Sequence, residues 1–266
     1  INLSKISSPL NHLFSLIIYQ IKAYLFYKIM PQHIDQIYEL LSKTGLQRKS
    51  GNIIYSGYET LSTGKYYFLG MNPGGHIDDR NPEEDQIINK LIKKKDYPEE
   101  NEYFDGIWGN ERLPGVHHHQ LNIQSFFECL EIDLRTVLST NLCFQRSPGK
   151  SKYPGGTKQM DADIEKFWPI HEYMLSVVQP KVIICNGADA RDFFKKKIKP
   201  TNIETKELPE KWRGLYQKCT YFAGNLYLKS TLKDLGRVKV IATPHLTNWP
   251  NFDYYKEGAN WLKTKI

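Results

Sequence analysis

Asparagine and histidine side chains stand close behind apolar segments of the sequence, and these residue types can carry out hydrolytic chemistry. Asn72 follows the apolar segment Tyr66–Leu69, Asn141 lies late in a second apolar segment, and His245 closely follows a third. An asparagine amide can orient a water molecule, and an imidazole can donate a hydrogen bond or exchange a proton near neutral pH. Asn72, Asn141 and His245 are therefore candidate site residues.

Each of these three residues also has an ordinary structural interpretation. Asn72 can simply begin a proline turn, Asn141 can cap a strand, and His245 can be a buried histidine whose hydrogen bonds are satisfied. In open α/β sheets, however, ligands bind at the carboxyl ends of the strands. Three polar residues that each terminate a parallel-type strand favour a shared site.

The spacing of the apolar segments predicts strands that alternate with helices. Four apolar segments that end at turn-forming residues predict buried strands: Tyr66–Leu69, Thr136–Phe144, Lys181–Cys185 and Val238–Ala242. Helical patterns predict a helix that begins after residue 30, and helices at Phe126–Ile132, Trp168–Val178 with Pro169 in its first turn, Arg191–Lys197 and Phe252–Lys263. This alternation predicts an α/β fold, with a central, mostly parallel four-stranded sheet flanked by helices in a single domain.

In the remaining segments the apolar residues show no clear helical or strand-like spacing. We expect a short strand at Asn52–Tyr58 and an irregular connection across 200–230. Between them, the polar stretch 76–120 is expected to contain a solvated helix end at Lys93-Lys94-Lys95 and loop histidines at His117-His118-His119. We expect residues 1–30 to be an N-terminal extension or a peripheral helix, and residues 31–266 to form the domain.

Composition and charge limit the classes of partner. The 266 residues carry a net charge of +7 with a pI near 9.0, which favours an anionic partner, although a basic surface with no specific partner fits the same charge. The four cysteines form no Cys-x-x-Cys pair, so we expect no metal, no cofactor, and a reducing, cytoplasmic location. We expect buried thiols at Cys143 and Cys185 and a monomeric protein. Gln20 and two lysines interrupt the apolar stretch Leu10–Met30, so we expect no membrane span.

The motifs and their order resemble the uracil-DNA glycosylase superfamily. Its Gly-x-(Asn/Asp)-Pro-(Gly/Tyr) motif after the first core strand is matched by Gly70-Met71-Asn72-Pro73-Gly74, as in the mismatch-specific and single-strand-selective branches. Pro244-His245-Leu246-Thr247 stands where the superfamily has His-Pro-Ser-Pro, and Leu246-Thr247 departs from Pro-Ser. Thr140-Asn141-Leu142 and the segment Gln179–Ala190 resemble two further family segments, and the resemblance covers Lys65–Lys263 in the family's order.

The resemblance implies roles for the matched residues. It implies catalytic roles for Asn72, which would orient the attacking water, and for His245, which would donate a hydrogen bond to the departing base. The residues implied to bind the base are Gly70, Met71, Gly74, Asn141 and Phe144. The candidate DNA contacts are Arg146, Lys150, Leu246, Thr247 and Trp249. Phe144 could equally stack on the base or belong to the core. Trp249 could insert as a wedge into the base stack or pack against the last helix, and Leu246 is the other candidate for the wedge.

The resemblance further implies a monofunctional DNA glycosylase that leaves an abasic site and needs no cofactor. In uracil-only members a tyrosine follows the motif's proline and blocks C5 substituents, whereas this sequence has Gly74. We therefore expect a pocket for mismatched, damaged or C5-modified pyrimidines in duplex or single-stranded DNA, and antiphage excision of hypermodified cytosine in a bacterium would fit. Two other functions remain open, a nucleic-acid-binding module without catalysis and a hydrolase of free nucleosides.

Overall fold

The computed structural model describes residues 32–75, 82–212, 215–247 and 252–266. The expected N-terminal extension, residues 1–30, lies outside the described residues. Residues 32–42 are helical (α1), and Ile34, Ile37 and Leu41 are buried on one face, as the apolar spacing predicts. No helix in the described part of the chain is long and apolar enough to cross a membrane.

One six-stranded mixed sheet organises the chain, and the α/β class is as expected. The strands in chain order are β1 (Tyr66–Gly70), β2 (Leu138–Asn141), β3 (Val182–Asn186), β4 (Ile203–Trp212), β5 (Leu215–Leu228) and β6 (Lys233–Thr243). They lie in the order β2-β1-β3-β6-β5-β4, with β2, β1, β3 and β6 parallel and the last two strands antiparallel. The sheet therefore has six strands rather than the expected four.

The two additional strands come from the segment that we expected to be irregular. β4 and β5 form an antiparallel hairpin that pairs with β6 across residues 200–230. An edge strand with one solvated face alternates apolar and charged residues, so it lacks the continuous apolar run that marks a buried parallel strand. Along β4, Leu208 is buried between the exposed Glu207 and Pro209. The many charged residues of β4 interrupt the apolar pattern, so this alternation was not recognised in the sequence.

Helices cover both faces of the sheet. The helices after α1 are α2 (Ile87–Lys93), α3 (His118–Cys129), α4 (Gly156–Val178), α5 (Ala188–Ile198) and α6 (Lys256–Lys263). Along β1, Tyr67 and Leu69 join a core cluster with α1, α4 and α5, whereas Phe68 joins a second cluster with α3 and α6. This alternation across the pleat gives three layers, with the parallel strands buried in the middle.

Helix α4 and the segment 52–58 differ from the sequence expectations. α4 begins at Gly156 rather than at Trp168, and Pro169 lies inside it. Burial of Met160 and Phe167 on one face stabilises its N-terminal half, so tertiary packing outweighs the cost of an interior proline. Within residues 52–58 the structure has no strand; the Tyr55 N–H donates to the Ser139 carbonyl at 2.8 Å, and Tyr58 begins a short 3-10 helix.

Candidate functional site

A cavity of about 850 Å³ opens at the carboxyl ends of the four parallel strands. Asn72 follows β1, Asn141 ends β2, Asn186 ends β3 and His245 follows β6, and all four side chains line the cavity. The strand register brings them together, because Gly70 of β1 pairs with Asn141, and Asn186 pairs with the last residue of β6. The three candidate residues of the sequence analysis thus share one cavity.

The amide of Asn72 is held in one orientation. Its Nδ2 donates to the Pro73 carbonyl at 2.8 Å and to the Ser147 carbonyl at 2.9 Å. Both amide hydrogens are therefore used, and Oδ1 has no hydrogen-bond partner among the described residues. This oxygen is an acceptor that can orient a water molecule at the cavity wall.

Gly70 and Asn141 pack so closely that a larger residue at position 70 would displace the Asn141 amide. A Cβ atom on Gly70 would lie 2.5 Å from the Asn141 Oδ1. The Asn141 amide also makes a hydrogen bond with the Tyr55 hydroxyl, whose pKa is raised chiefly by burial. A glycine at the end of β1 therefore allows the Asn141 amide to reach the cavity.

The His245 imidazole is neutral near pH 7 and presents a donor. Its Nδ1 lies 2.6 Å from the Thr247 Oγ1 and accepts weakly from the Thr247 backbone N–H at 3.4 Å. An accepting Nδ1 places the proton on Nε2, which has no partner in the described part of the chain. Burial lowers the pKa of His245, and the charge of Asp189 opposes that shift only in part.

Three backbone contacts fix the turn that carries His245. The Tyr255 hydroxyl donates to the His245 carbonyl at 2.9 Å, and the Leu246 N–H donates to the Asn186 Oδ1 at 2.9 Å. The Asn122 amide donates to the Leu246 carbonyl at 2.7 Å. Elements on both sides of the turn thus position the imidazole with little freedom.

His119 is a site residue that the sequence reasoning missed. Its ring centroid lies 5.1 Å from that of His245, and its Nε2 lies 3.2 Å from the Asn186 Nδ2. Because the Asn186 Oδ1 already accepts from Leu246, its Nδ2 must donate, so the His119 Nε2 is an acceptor. Burial, together with the neighbouring imidazole of His245, holds the pKa of His119 well below its usual value.

The expectation of a histidine loop was wrong. His117 is the N-cap of α3, its Nδ1 accepting the His119 N–H at 3.3 Å, and the Gln120 side chain accepts the His117 N–H at 3.1 Å. This capping box starts the helix and turns His119 into the cavity wall. In the sequence, the indication of this helix start was the run of three histidines followed by a glutamine, close to an amphipathic segment.

Asn186 and an aromatic wall were also missed. Asn186 ends an expected strand, so the rule that selected Asn72 and Asn141 would have selected it too. The wall consists of Tyr55, Phe68, Tyr103 and Trp108. Its members are distant in sequence, and only the fold brings them together.

Gly74 borders open space, and Arg146 is committed to the loop that carries it. A Cβ atom on Gly74 would meet no atom of the described residues within 4 Å. Arg146 donates to the Gly74 carbonyl at 2.6 Å and makes a bidentate contact with Asp85 at 3.2 and 3.1 Å. Burial alone would raise the pKa of Asp85, but hydrogen bonds from Lys90, Ser50 and Arg146 lower it. The guanidinium thus secures the loop after β1, and Arg146 also lines the cavity, so its expected contact with phosphate stays a prediction.

Three further expectations need correction because the side chains lie elsewhere. Phe144 is fully buried, its ring centroid 4.6 Å from that of Phe167, so it belongs to the core rather than to a base stack. Leu246 is fully buried in the core and does not protrude as a wedge. Met71 lines a separate cavity of about 400 Å³ and not the one at the strand ends.

The remaining candidates divide between the cavity and the surface. Thr247 lines the cavity and contacts His245. Lys150 lies outside it, with its Nζ 3.2 Å from a carboxylate oxygen of Asp189 and 3.3 Å from one of Asp161. Trp249 lies outside the described residues. As expected, Cys143 and Cys185 are buried free thiols.

The described residues contain no group of three or more His, Cys, Asp or Glu side chains arranged to hold a metal ion. The cavity is lined by amides, imidazoles and aromatic rings, and also by the carboxylates of Asp85 and Glu102 and the cations of Lys90 and Arg146. Comparison of the sequence with models of known protein families and with curated proteins found no match.

Proposed function

We propose that this protein is a monofunctional DNA glycosylase that hydrolyses the N-glycosidic bond of a flipped-out pyrimidine and leaves an abasic site. One observation carries the proposal: Asn72, Asn141 and His245 stand on three different strand ends and line a single cavity. An enzyme that acts on a base in DNA must take that base out of the stack into such a pocket. The net charge of +7 supports a polyanionic partner.

The geometry supplies what hydrolysis of this bond requires. The bond between the sugar C1′ and the base nitrogen breaks, and the base leaves with the bonding electrons. Water adds to C1′, and the proton that it loses ends on the departing base. The free Oδ1 of Asn72 accepts a hydrogen bond from the attacking water, but a neutral amide is a weak base. Stabilisation of the departing base must therefore provide most of the rate enhancement.

His245 is the residue that stabilises the departing base. Its Nε2–H donates to a carbonyl oxygen of the pyrimidine, where negative charge accumulates as the bond breaks. Removing one preorganised donor of this kind typically costs about 3 kcal/mol in the transition state. Burial of the His245 imidazole, which lowers its pKa, also lowers the local dielectric and strengthens such a hydrogen bond.

Asn141 reads the edge of the base. Its amide offers a donor and an acceptor, which a pyrimidine edge requires. The Tyr55 hydroxyl and the close approach of Gly70 hold that amide in place. The aromatic wall provides faces on which a base can stack.

The size of the site supports a base that carries a C5 substituent. The cavity volume of about 850 Å³ lies near the upper end of the roughly 300–1,000 Å³ found for small-molecule sites. Gly74 leaves space beside it, and a second cavity of about 580 Å³ shares the wall formed by Asn52, Asp85, Lys90 and Glu102. The proposed substrates are therefore mismatched, damaged or C5-modified pyrimidines, including hypermodified cytosine in phage DNA.

The proposed setting is the bacterial cytoplasm, with the protein acting as a monomer in repair or antiviral defence. Its four cysteines are free thiols, which suits a reducing compartment. A second candidate function is hydrolysis of free nucleosides. Engagement of Arg146 and Lys150 by carboxylates favours it, because these two cations are then less available to phosphates.

A substrate panel tests the proposal. Labelled single strands and duplexes would carry uracil, a thymine mismatch, 5-hydroxymethylcytosine or its glucosylated form, and abasic products would be cleaved with alkali. We expect release of at least one C5-substituted base by the native protein and none by Asn72→Ala. Activity confined to plain uracil would contradict the open pocket, and turnover of free nucleosides alone would favour the second candidate. Salt-sensitive DNA binding that survives Asn72→Ala, with no abasic product, would indicate a binding module without catalysis.

A further inference from the structure

Flipping a nucleotide leaves a gap in the base stack, and proteins that distort duplex DNA often insert an apolar side chain between base steps. Leu246 cannot take this role here. Its side chain is fully buried in the core, and its backbone is held by Asn122 and Asn186 on both sides. Moving it into DNA would open the core and break these contacts.

Ile107 combines two properties that a wedge requires. Its side chain is 60% exposed, and it lines the cavity at the strand ends. The other large apolar side chains that are exposed in the described part of the chain do not line this cavity: Tyr38, Ile92, Tyr97, Leu113, Val116, Leu121, Tyr227 and Leu232. Ile107 therefore marks the rim over which a flipped base would enter.

The backbone that carries Ile107 is held on both sides. The Gln120 side chain donates to the Gly106 carbonyl at 2.8 Å and to the Glu102 carbonyl at 2.6 Å. The Gly115 N–H donates to the same Gly106 carbonyl at 3.0 Å, which closes the loop. An exposed apolar side chain on such an anchored loop is presented in a fixed position, so little ordering is needed when DNA binds.

Trp108, the next residue, is fixed on the cavity side of the rim. Its indole N–H donates to Glu102 at 3.4 Å, and its ring lies 5.7 Å from that of Tyr103 and 6.2 Å from that of Tyr55, centroid to centroid. Trp108 thus belongs to the aromatic wall that faces the base. Ile107, which lines the rim and is 60% exposed, is not part of that wall and stays available for a contact with DNA outside the cavity.

We propose that Ile107 is the wedge that fills the gap left by the flipped nucleotide in duplex DNA, an inference that rests on the proposed glycosylase function. The side chain enters the stack beside the orphaned partner base and lowers the tendency of the target nucleotide to return. A single strand has no opposing partner and no closed gap. The wedge therefore contributes to duplex substrates and not to single-stranded ones.

Single-turnover excision from a matched duplex and single strand tests this directly. We expect Ile107→Ala to slow excision from the duplex at least tenfold and from the single strand less than twofold, and Ile107→Leu to retain the duplex rate. Leu113→Ala is the matched control, because Leu113 is 64% exposed in the same loop but does not line the cavity. We expect it to leave both rates unchanged. Equal losses on both substrates, or no loss on the duplex, would overturn the wedge.

A fluorescence measurement separates failure of the wedge from failure of the proposed function. With 2-aminopurine next to the target base, Asn72→Ala should raise the fluorescence on binding the duplex, and adding Ile107→Ala should abolish most of that rise. A native protein that releases no base from any strand would refute the glycosylase proposal. A fluorescence rise that is unchanged by Ile107→Ala would refute the wedge alone.

Discussion

Two histidines, the buried His171 on α4 and the half-buried His245 at the strand ends, differ in how their ring nitrogens are used. Burial lowers the pKa of both. The His171 nitrogens contact the Tyr67 hydroxyl at 2.9 Å and the Leu142 carbonyl at 3.1 Å, so both are occupied. The His245 ring uses only Nδ1, and no described residue contacts its Nε2. A histidine with both nitrogens satisfied serves the scaffold, and one with a nitrogen left over in a cavity is available to a ligand.

The same contrast separates Glu172 from Asn72. The Glu172 carboxylate on α4 accepts from the Trp168 indole at 2.9 Å and from the backbone N–H groups of Lys229 and Ser230 at 2.9 and 2.8 Å. It ties α4 to the turn between β5 and β6. Asn72 has both amide hydrogens engaged, but no described residue contacts its oxygen. Substitution of Glu172 should thus lower stability, and substitution of Asn72 should lower activity.

Loss of Glu172 should have the largest effect on stability. Glu172→Ala removes the acceptor of three donors, the buried Trp168 indole and two backbone N–H groups of a partly buried turn, so we expect the free energy of unfolding to fall by about 3 kcal/mol. Glu165→Ala, on the exposed side of the same helix, is the control and should change it by less than about 0.5 kcal/mol. Urea titrations of both variants measure this. Similar small effects for the two would contradict a scaffold role for Glu172.

Acid should destabilise the protein through His171. Burial lowers its pKa from 6.5 to about 4. Because the unfolded chain binds the proton more tightly, the unfolding free energy should be unaffected above pH 6.5 and decline as the pH falls from 6.5 to 4, by about 3 kcal/mol in total. Denaturant titrations at a series of pH values measure the slope. His171→Gln should reduce that slope, and an unchanged slope would show that other groups cause it.

Replacement of His245 should reduce activity and leave stability almost unchanged, in contrast to replacement of Glu172. We expect His245→Gln to lower excision on the order of a hundredfold by removing the imidazole donor, while the unfolding free energy changes by less than about 1 kcal/mol. His118→Gln is the control, since His118 is exposed and does not line the cavity. Single-turnover rates and urea titrations provide both quantities. Equal rates for the two variants would remove His245 from the chemistry.

Substitutions of two glycines, Gly70 and Gly74, should have the smallest effects on activity. Gly70→Ala places a Cβ against the Asn141 Oδ1 and should displace that amide, with about a tenfold loss of activity. Gly74→Ala adds the same methyl group in open space and should leave activity on small bases within about twofold. Gly74→Tyr narrows the cavity, so it should slow the release of a C5-substituted base more than the release of a small base. Indistinguishable Gly70→Ala and Gly74→Ala variants would refute the placement of Asn141.

The sequence was sufficient for residues whose position follows from a strand end. Asn72, Asn141 and His245 were identified because apolar parallel strands are easily recognised and their carboxyl ends meet at one edge. Phe144 and Leu246 were misplaced because sequence adjacency to a site residue does not determine which face a side chain takes. His119 and the aromatic wall depend on contacts between distant segments. β4 and β5 were missed because a charged, one-sided antiparallel hairpin lacks an apolar run.

The most direct test of the account is the structure of the protein bound to duplex DNA whose target nucleotide carries a 2′-fluoro group that slows hydrolysis. The account predicts the flipped pyrimidine in the cavity at the strand ends, with its edge on Asn141, a carbonyl oxygen within hydrogen-bond distance of the His245 Nε2, and its C1′ near the Asn72 Oδ1. DNA bound with this cavity empty, or a base that contacts neither Asn72 nor His245, would contradict it.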